Sequence, residues 1–311
     1  MLINEKVLLI DFNNLASILV FRIKTDANKL GHFIKPYDFM YDVYLKKMWL
    51  NEMLGNVLKI MSVLLDRHTT VIAIDSDNPW RREIYPEYKQ NRKGQRDKSA
   101  MDINWDSVYQ LYNEFTDMLN TVPAIITMKV RRCEADDIIG ALILNNEERD
   151  NLIVSNDGDF KQLAHRASLV NNYHNPLTHI RLTDKESNEV LVKKLILGDS
   201  GDNVPNMIHG VGPKTVDKFY EQHGPEGVVH ALVETYKEKE PLCLQNYKRN
   251  KILIDLTRTP NILQDEIISR YKIAKKSYER DFEPIIQYAK NNGLNQFIHE
   301  IVQVKMRLMY G

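Results

Sequence analysis

Three short runs limit what this chain can become: "KVLLID" ending at Asp11, "TVIAID" ending at Asp75 and "NLIVSND" ending at Asp157. Each is a β-branched or Leu-rich stretch of strand length that stops at an aspartate. Helix-like segments lie between them, which is the order of a parallel sheet built from βαβ units. Such sheets gather their sites at the C-terminal ends of the strands, so aspartates far apart in the chain are expected on one edge. After about Leu195 the strand signals stop, and helical periods punctuated by Gly and Pro take over. The reading is an α/β fold, a mostly parallel central sheet flanked by helices over 1–195, with a smaller helical domain over 196–311. A chain of 311 residues is long enough for both.

Carboxylates that converge in a cleft repel one another and lose hydration, so something must offset that cost. The third run continues as "NDGDFKQL", which places Asp159 two residues beyond Asp157. "CEADDIIGALIL" puts Glu134, Asp136 and Asp137 in the first turn of an apolar helix, and "LGDSGDNVPN" puts Asp199 and Asp202 in a Gly-rich turn. Taken singly, the first-turn acids also suit a helix dipole and the turn also suits a polar loop. With Asp11 and Asp75 they make nine carboxylates whose convergence calls for cations. The two cysteines, Cys133 and Cys243, and the nine histidines show no zinc-ligand spacing. An oxygen-only set selects a hard ion, Mg²⁺ or Mn²⁺. More acids than one ion can use suggests two ions about 4 Å apart, the arrangement that serves phosphodiester hydrolysis.

Net charge is zero, with 42 basic and 42 acidic residues, but the signs are segregated. "WRREIYPEYKQNRKGQRDK", from Trp80 to Lys98, holds seven Lys or Arg against three acids. Arg81 and Arg82 are candidate phosphate contacts, and Tyr85 or Tyr88 is a candidate stacking surface for a base from a single strand. At helical spacing Tyr85, Tyr88, Lys89 and Arg92 share a face. Further on, "NVPNMIHGVGPKTVDKFY" sets Gly210 and Gly212 around a valine in a tight hairpin, Pro213 at a helix start, and Lys214 and Thr215 in its first turn. It looks like a helix-hairpin-helix, which grips a duplex backbone without reading its sequence. No apolar run reaches the ~18 residues of a membrane span. "MLINEKVLLID" enters a strand at once, so the expected location is the reducing cytoplasm.

In order and spacing, "LIDFNN", "IDSDNPWRREIYPEYKQNR", "CEADDIIG", "SNDGDFKQL" and "GDSGDNVPN…GVGPKT" resemble the motifs of the 5′-nuclease superfamily of flap endonucleases and 5′-3′ exonucleases. The resemblance spans nearly the whole chain. It implies a PIN-like nuclease core over 1–195, with a basic helical arch over 80–103, and a helix-hairpin-helix DNA-binding domain over 196–311. Two Mg²⁺ ions, replaceable by Mn²⁺, are implied: Asp11, Asp75, Glu134, Asp136, Asp137 and Asp157 lie nearer the first, and Asp159, Asp199 and Asp202 nearer the second. Lys89 and Arg92 match the phosphate-handling pair at the base of the arch. Gly210, Gly212 and Lys214 match the duplex anchor, which in relatives also holds K⁺ or Na⁺.

The activity implied is metal-dependent hydrolysis at the 5′ end of an RNA or DNA strand on a duplex, or of a 5′ flap, as in primer removal during lagging-strand replication. Products would carry 5′-phosphate and 3′-hydroxyl. The implied partners are DNA and RNA–DNA hybrid duplexes, with a single-strand-binding protein or sliding clamp beside them, and the implied state is a free-standing monomer. One alternative is a non-catalytic DNA-junction binder, which would need the basic segment and the hairpin but not nine acids. A haloacid dehalogenase phosphatase expects a second Asp two residues after Asp11, and Asn13 stands there. At the C-terminus, Gln303, Met306, Met309 and Tyr310 come near the spacing of a clamp-docking peptide. Phe297, Ile301, Val304 and Leu308 recur at helical spacing and predict instead a last packed helix.

Overall fold

Strand β1 (Lys6–Asp11) buries Val7 and Leu9 in one layer of the core and Leu8 and Ile10 in another. A strand apolar on both faces has to be covered on both. The computed structural model describes residues 6–32, 35–64, 68–91, 102–145, 150–171 and 176–310. The strands β2 (His68–Ile74), β3 (Ile125–Lys129), β4 (Asp150–Val154) and β5 (Ala167–Val170) join β1 in one sheet of order β3-β2-β1-β4-β5, every pair parallel. The order reverses at β1, with β2 on one side and β4 on the other, which opens a crevice beyond the C-terminal strand ends. The three runs read from the sequence are the three central strands. β3 and β5 are additional.

The helices in chain order are α1 (Phe12–Lys29), α2 (Val43–Leu64), a short α3 (Arg81–Ile84), α4 (Trp105–Asn120), α5 (Ala135–Leu144), α6 (Asp184–Leu197), α7 (Pro213–Tyr236), α8 (Cys243–Ile254), α9 (Asn261–Lys276), α10 (Glu283–Asn291) and α11 (Ile298–Tyr310). One layer packs α1, α2, α4, α10 and α11 on Leu8, Ile10 and Ile72 through Trp49, Phe115 and Phe282. The opposite layer packs α5 and α9 on Val7, Leu9 and Val71 through Ile138, Ile139, Ile267 and Tyr271. A third, smaller core joins α6, α7 and α8 around Ile196, Ile208, Val216 and Leu232.

The cores therefore do not follow the division expected at residue 195. From Leu256 to Val304 the chain returns to both faces of the sheet, α9 joining α5 on one and α10 and α11 joining α1, α2 and α4 on the other. Ile301 and Val304 on α11 are buried in the first layer, as the helical reading of the C-terminus expects, while Met306 is exposed. The side chains of residues 308–310, Met309 and Tyr310 among them, lie outside the described residues. No helix of the described residues is long and apolar enough to cross a membrane.

Candidate active site

At the crevice the strand ends are tied together by neutral donors. Asp11 closes β1 and is the N-cap of α1, accepting from the Asn14 N–H at 3.2 Å. Ser155 Oγ donates to Asp11 Oδ2 at 3.0 Å. The first turn of α1 then pins its neighbours: Asn13 Oδ1 accepts from the Asp75 N–H at 2.9 Å, and Asn14 Oδ1 from the Asn156 N–H at 3.3 Å. Asp75 Oδ1 accepts from the N–H of Ala135, the first residue of α5, at 2.8 Å. Asp11, Asp75, Glu134, Asp136 and Asp157 thereby line one cleft of about 740 Å³, with Lys89 and Arg82 on its walls.

These acids carry an unmet electrostatic demand. Burial, then the charge of Asp75, pushes Asp11 up from 3.8 to about 7. Burial also lifts Asp136 well above the carboxylate range in spite of Arg81, and raises Asp157 in spite of Lys194. Among the described residues Asp136 Oδ1 is buried without a hydrogen-bond donor, and the Arg81 guanidinium stands 3.7 Å away. Glu134, Asp136 and Asp137 each offer an oxygen within 4.8 Å of the others. An orphaned carboxylate oxygen in an oxygen-only set fits a hard divalent cation, which would reverse the upward shifts.

The remaining acids form a rim beside this floor. Asp159 and Asp199 share the Lys194 ammonium, with Asp199 Oδ2 at 2.7 Å. Asp202 Oδ2 lies 3.0 Å from the Tyr88 hydroxyl and 3.6 Å from Lys89 Nζ. Their turn requires Gly198, whose φ is +67° and whose added Cβ would stand 2.4 Å from the Val204 carbonyl oxygen. Asp199 Oδ1 stabilises the turn by accepting from the Gly201 and Asp202 N–H groups at 2.8 and 3.2 Å.

The basic segment departs from its sequence reading. Arg81 is 1% exposed: its Nε donates to the Leu253 carbonyl at 2.8 Å, and its Nη1 to Glu134 and Asp137 at 3.1 and 2.9 Å. It is an internal tie and not a phosphate contact. Burial works against its charge, and Asp137, Asp136 and Glu134 more than restore it. Tyr88 is also buried, its hydroxyl between Glu134 and Asp202, so it offers no face to a base. The helical face expected over Tyr85 to Arg92 is not formed by Tyr85, Tyr88 and Lys89, because α3 ends at Ile84 and Lys89 has a φ of 59°. Tyr85 is half-buried with the Arg249 guanidinium 5.4 Å from its ring centre. Arg82 is exposed and lines the cleft. Arg92 and the rest of the arch segment through residue 101 lie outside the described residues.

Asp137 directly follows Asp136 on α5, at helix position N3, and has the opposite environment. Its oxygens accept from Trp80 Nε1 at 3.1 Å, Thr259 Oγ1 at 2.7 Å, Arg81 at 2.9 Å and the Glu134 N–H at 2.9 Å. Four donors fill its accepting capacity, so its visible work is as counter-ion to Arg81 and as the N3 partner of the Glu134 capping box.

Lys89 is aimed by a strap between two loops. Its N–H donates to the Asp202 carbonyl at 2.8 Å, Asn203 Nδ2 to the Glu87 carbonyl at 2.8 Å, and Asn91 Nδ2 to the Ser200 carbonyl at 2.6 Å. Its ammonium rests on Glu134. The described non-glycine residues with positive φ are Asn78, Lys89, Arg132 and Asn203. The first two line the cleft, Arg132 stands two residues before Glu134, and Asn203 follows Asp202. Backbone of this kind persists only where its surroundings over-determine it.

The predicted hairpin joins α6 to α7. Gly210 has a φ of +78°, Gly212 caps α7, Pro213 opens it, and both glycines face open space. Lys214 is exposed and Thr215 partly so, while Val211 anchors the hairpin in the third core. Four residues that hold the acids were not singled out as site residues in the sequence: Asn13, Asn14 and Ser155, which lie inside the quoted motifs, and Lys194. Lys194 reads as an ordinary helix-surface lysine until Asp159, from another element, is set beside it.

The family described as 5′-3′ exonuclease, N-terminal resolvase-like domain, matches residues 7–193. Ribonuclease H of Enterobacteria phage T4 is 25% identical over 286 residues, covering 87% of this chain and 88% of that protein. Flap endonuclease Xni of Shewanella pealeana is 23% identical over 228 residues, covering 68% of this chain and 84% of that one. A zinc-bound T5 5′-exonuclease superimposes with a TM-score of 0.63 at 20% identity, over 88% of this chain and 100% of its own. A bacteriophage T5 flap endonuclease solved with DNA and metal ions does so at 0.62 and 19%, over 87% and 100%. The solved structures share the fold, the family match takes in all five strands and the whole carboxylate floor, and the chain belongs to the 5′-3′ exonuclease family.

Proposed function

We propose that the chain is a metal-dependent nuclease that hydrolyses phosphodiesters at the 5′ end of RNA or DNA strands on duplex DNA and at 5′ flaps, leaving 5′-phosphate and 3′-hydroxyl. The observation that carries this is the floor of five carboxylates at the switch point, in which burial raises the proton affinity of Asp11, Asp136 and Asp157 and leaves an Asp136 oxygen orphaned. Asp11, Asp75, Glu134, Asp136 and Asp157 would hold one divalent cation, with Asp159, Asp199 and Asp202 nearer a second. Mg²⁺ is the resident ion in this reading and Mn²⁺ its substitute. Such cations supply the positive charge that activates a water and steadies the leaving oxygen.

The chain's own residues do the rest. Ser155, Asn13 and Asn14 hold the carboxylate loops in place before any substrate arrives, so no reorganisation is required at reaction. Lys89 moves from Glu134 to the scissile phosphate, where its ammonium offsets charge that grows in the transition state, and Arg92 is its expected companion. Arg82 orients the strand from the cleft wall. Gly210, Gly212, Lys214 and Thr215 anchor the duplex through its backbone, with K⁺ or Na⁺ at the same hairpin. Residues 1–195 carry most of the chemistry, joined there by Asp199 and Asp202, and the hairpin within 196–311 supplies the duplex grip, in a monomer acting in the cytoplasm. A sliding clamp or a single-strand-binding protein is its expected replication partner.

A junction binder without catalysis would gain nothing from the floor, since unneutralised carboxylates repel DNA. The test is a 5′-labelled flap substrate incubated with Mg²⁺ or with EDTA, beside a small phosphate ester. Cleavage of the flap alone, and only with Mg²⁺, is expected. Flap binding without cleavage would favour the junction binder, and turnover of the ester a phosphatase.

A further inference from the structure

Among the described residues three cations line the carboxylate cleft: Arg82, Lys89 and Lys129. Lys89 rests on Glu134, and Arg82 Nε donates to the Tyr88 carbonyl at 3.3 Å. Lys129, the last residue of β3, is exposed, and among the described residues nothing pairs with its ammonium, although Asp77 lines the same wall. Its place is fixed from two sides. In the sheet it is in register with Ile74, so it stands one strand, about 4.8 Å, from the end of β2 that leads into Asp75. Toward α4, Thr127 Oγ1 donates to Asn120 Oδ1, and Lys129 lies roughly 7 Å farther along the same face of β3. Because α4 reaches β3 through residues 121–124 alone, it runs the other way. Thr116 and Asn113, about one and two turns before Asn120, therefore stand level with Lys129, and both line the cleft. Asn113 is exposed, and its amide has no partner among the described residues.

The hairpin lies on the other side of the floor. It follows α6, which Lys194 ties to Asp159 just past β4, and the sheet order sets β4 and β3 on opposite sides of β1. A strand held at the hairpin that reaches the floor continues toward β3. We propose that Lys129, with the Asn113 amide, seats the phosphate one nucleotide to the 5′ side of the scissile one. In an arm of a single nucleotide that group is the terminal 5′-phosphate, and in a longer flap it is a backbone linkage. The occupant is set by continuity, because the seat and the acids belong to one cleft. The short offset from Asp75 leaves room for one nucleotide between the two phosphates. An ammonium is a compact charge with three donors on a flexible stem, suited to a phosphate whose angle of approach varies. The acids of the floor repel the arm, so a free cation at its edge decides where the arm leaves.

This inference rests on the nuclease reading, and the experiment separates the two. Two pairs of substrates are compared. In the first, a one-nucleotide arm on a nicked duplex ends in 5′-phosphate or in 5′-hydroxyl. In the second, a longer flap carries a phosphodiester or an uncharged methylphosphonate at the linkage one nucleotide to the 5′ side of the cut. The parent should show a KM about tenfold higher on the uncharged member of each pair, with kcat little changed. Lys129→Ala should show equal KM within each pair, and Lys129→Arg, which keeps the charge, should restore the difference. Because Lys129 is exposed, the fold should tolerate both changes, and a melting curve checks it. A difference in one pair alone, lost in Lys129→Ala, supports the seat and names its source as a terminal phosphate or an internal linkage. A parent indifferent to both pairs, or a Lys129→Ala variant that discriminates as the parent does, overturns the seat while leaving the nuclease reading intact. A parent that cuts none of the four overturns the nuclease reading, and the seat with it.

Discussion

The floor and the rim of the carboxylate cluster have the same chemistry and opposite electrostatic settlements. On the floor, Asp11 and Asp75 are oriented by backbone N–H groups and the Ser155 hydroxyl, and Asp136 keeps one oxygen without a donor. Neutral donors fix direction without cancelling charge, and the cations on the floor, Arg81 and Lys89, both pair with Glu134, so the strand-end acids Asp11 and Asp75 are held by neutral donors alone. On the rim, Asp159 and Asp199 already share the ammonium of Lys194, and Lys89 stands beside Asp202. A cation is essential to the charge balance of the floor and only competes with a lysine at the rim.

The largest expected effect tests that contrast directly. Asp157→Asn should lower cleavage by about 10³-fold or more while duplex binding survives, since it removes a ligand charge and little volume. Asp199→Asn should cost only about tenfold, because Lys194 already offsets its charge. Equal losses in single-turnover assays would abolish the distinction between floor and rim.

The basic segment divides in the same manner, Arg81 inside the protein and Lys89 in the cleft. Arg81→Ala leaves Asp137 buried without its counter-ion and should lower unfolding free energy by about 3 kcal/mol or more in denaturant melts. A stable Arg81→Ala protein with weakened DNA binding would return Arg81 to the phosphate contacts. Lys89→Ala should leave stability near that of the parent but lower kcat by about 10²-fold, with a smaller change in binding.

A smaller effect concerns protons. Asp11 is raised from 3.8 to about 7, so between those values the folded protein keeps a proton that the unfolded chain has released. Its contribution therefore falls as pH rises through this window. Asp11→Asn should raise the melting temperature of the metal-free protein by a few degrees at pH 7.5 and leave it unchanged at pH 4. Mg²⁺ should raise the melting temperature of the parent at pH 7.5 and do so less in the variant. An identical pH dependence in both proteins would show that Asp11 is not the strained group. The smallest expected change lies farthest from the floor: Lys214→Ala should weaken binding of every duplex alike and shallow its salt dependence by about one unit.

The sequence by itself determined the three central strands, the parallel sheet and the gathering of aspartates at one edge. Apolar runs of period and length suited to buried strands are a local property, and the aspartate after each is visible without a partner. It also marked the hairpin, because Gly210, Gly212 and Pro213 state their backbone needs in their own covalent structure. Tertiary structure alone decided which charges face the cleft. Arg81 and Arg82 are adjacent and chemically alike, yet one is buried against Asp137 and the other lines the cleft. Asp136 and Asp137 are likewise neighbours, and about 100° of helix rotation separates an orphaned oxygen from a saturated one. Lys194 meets Asp159 from 35 residues away. Burial and pairing of a charge are set by what the rest of the chain brings to it, and no local pattern encodes that.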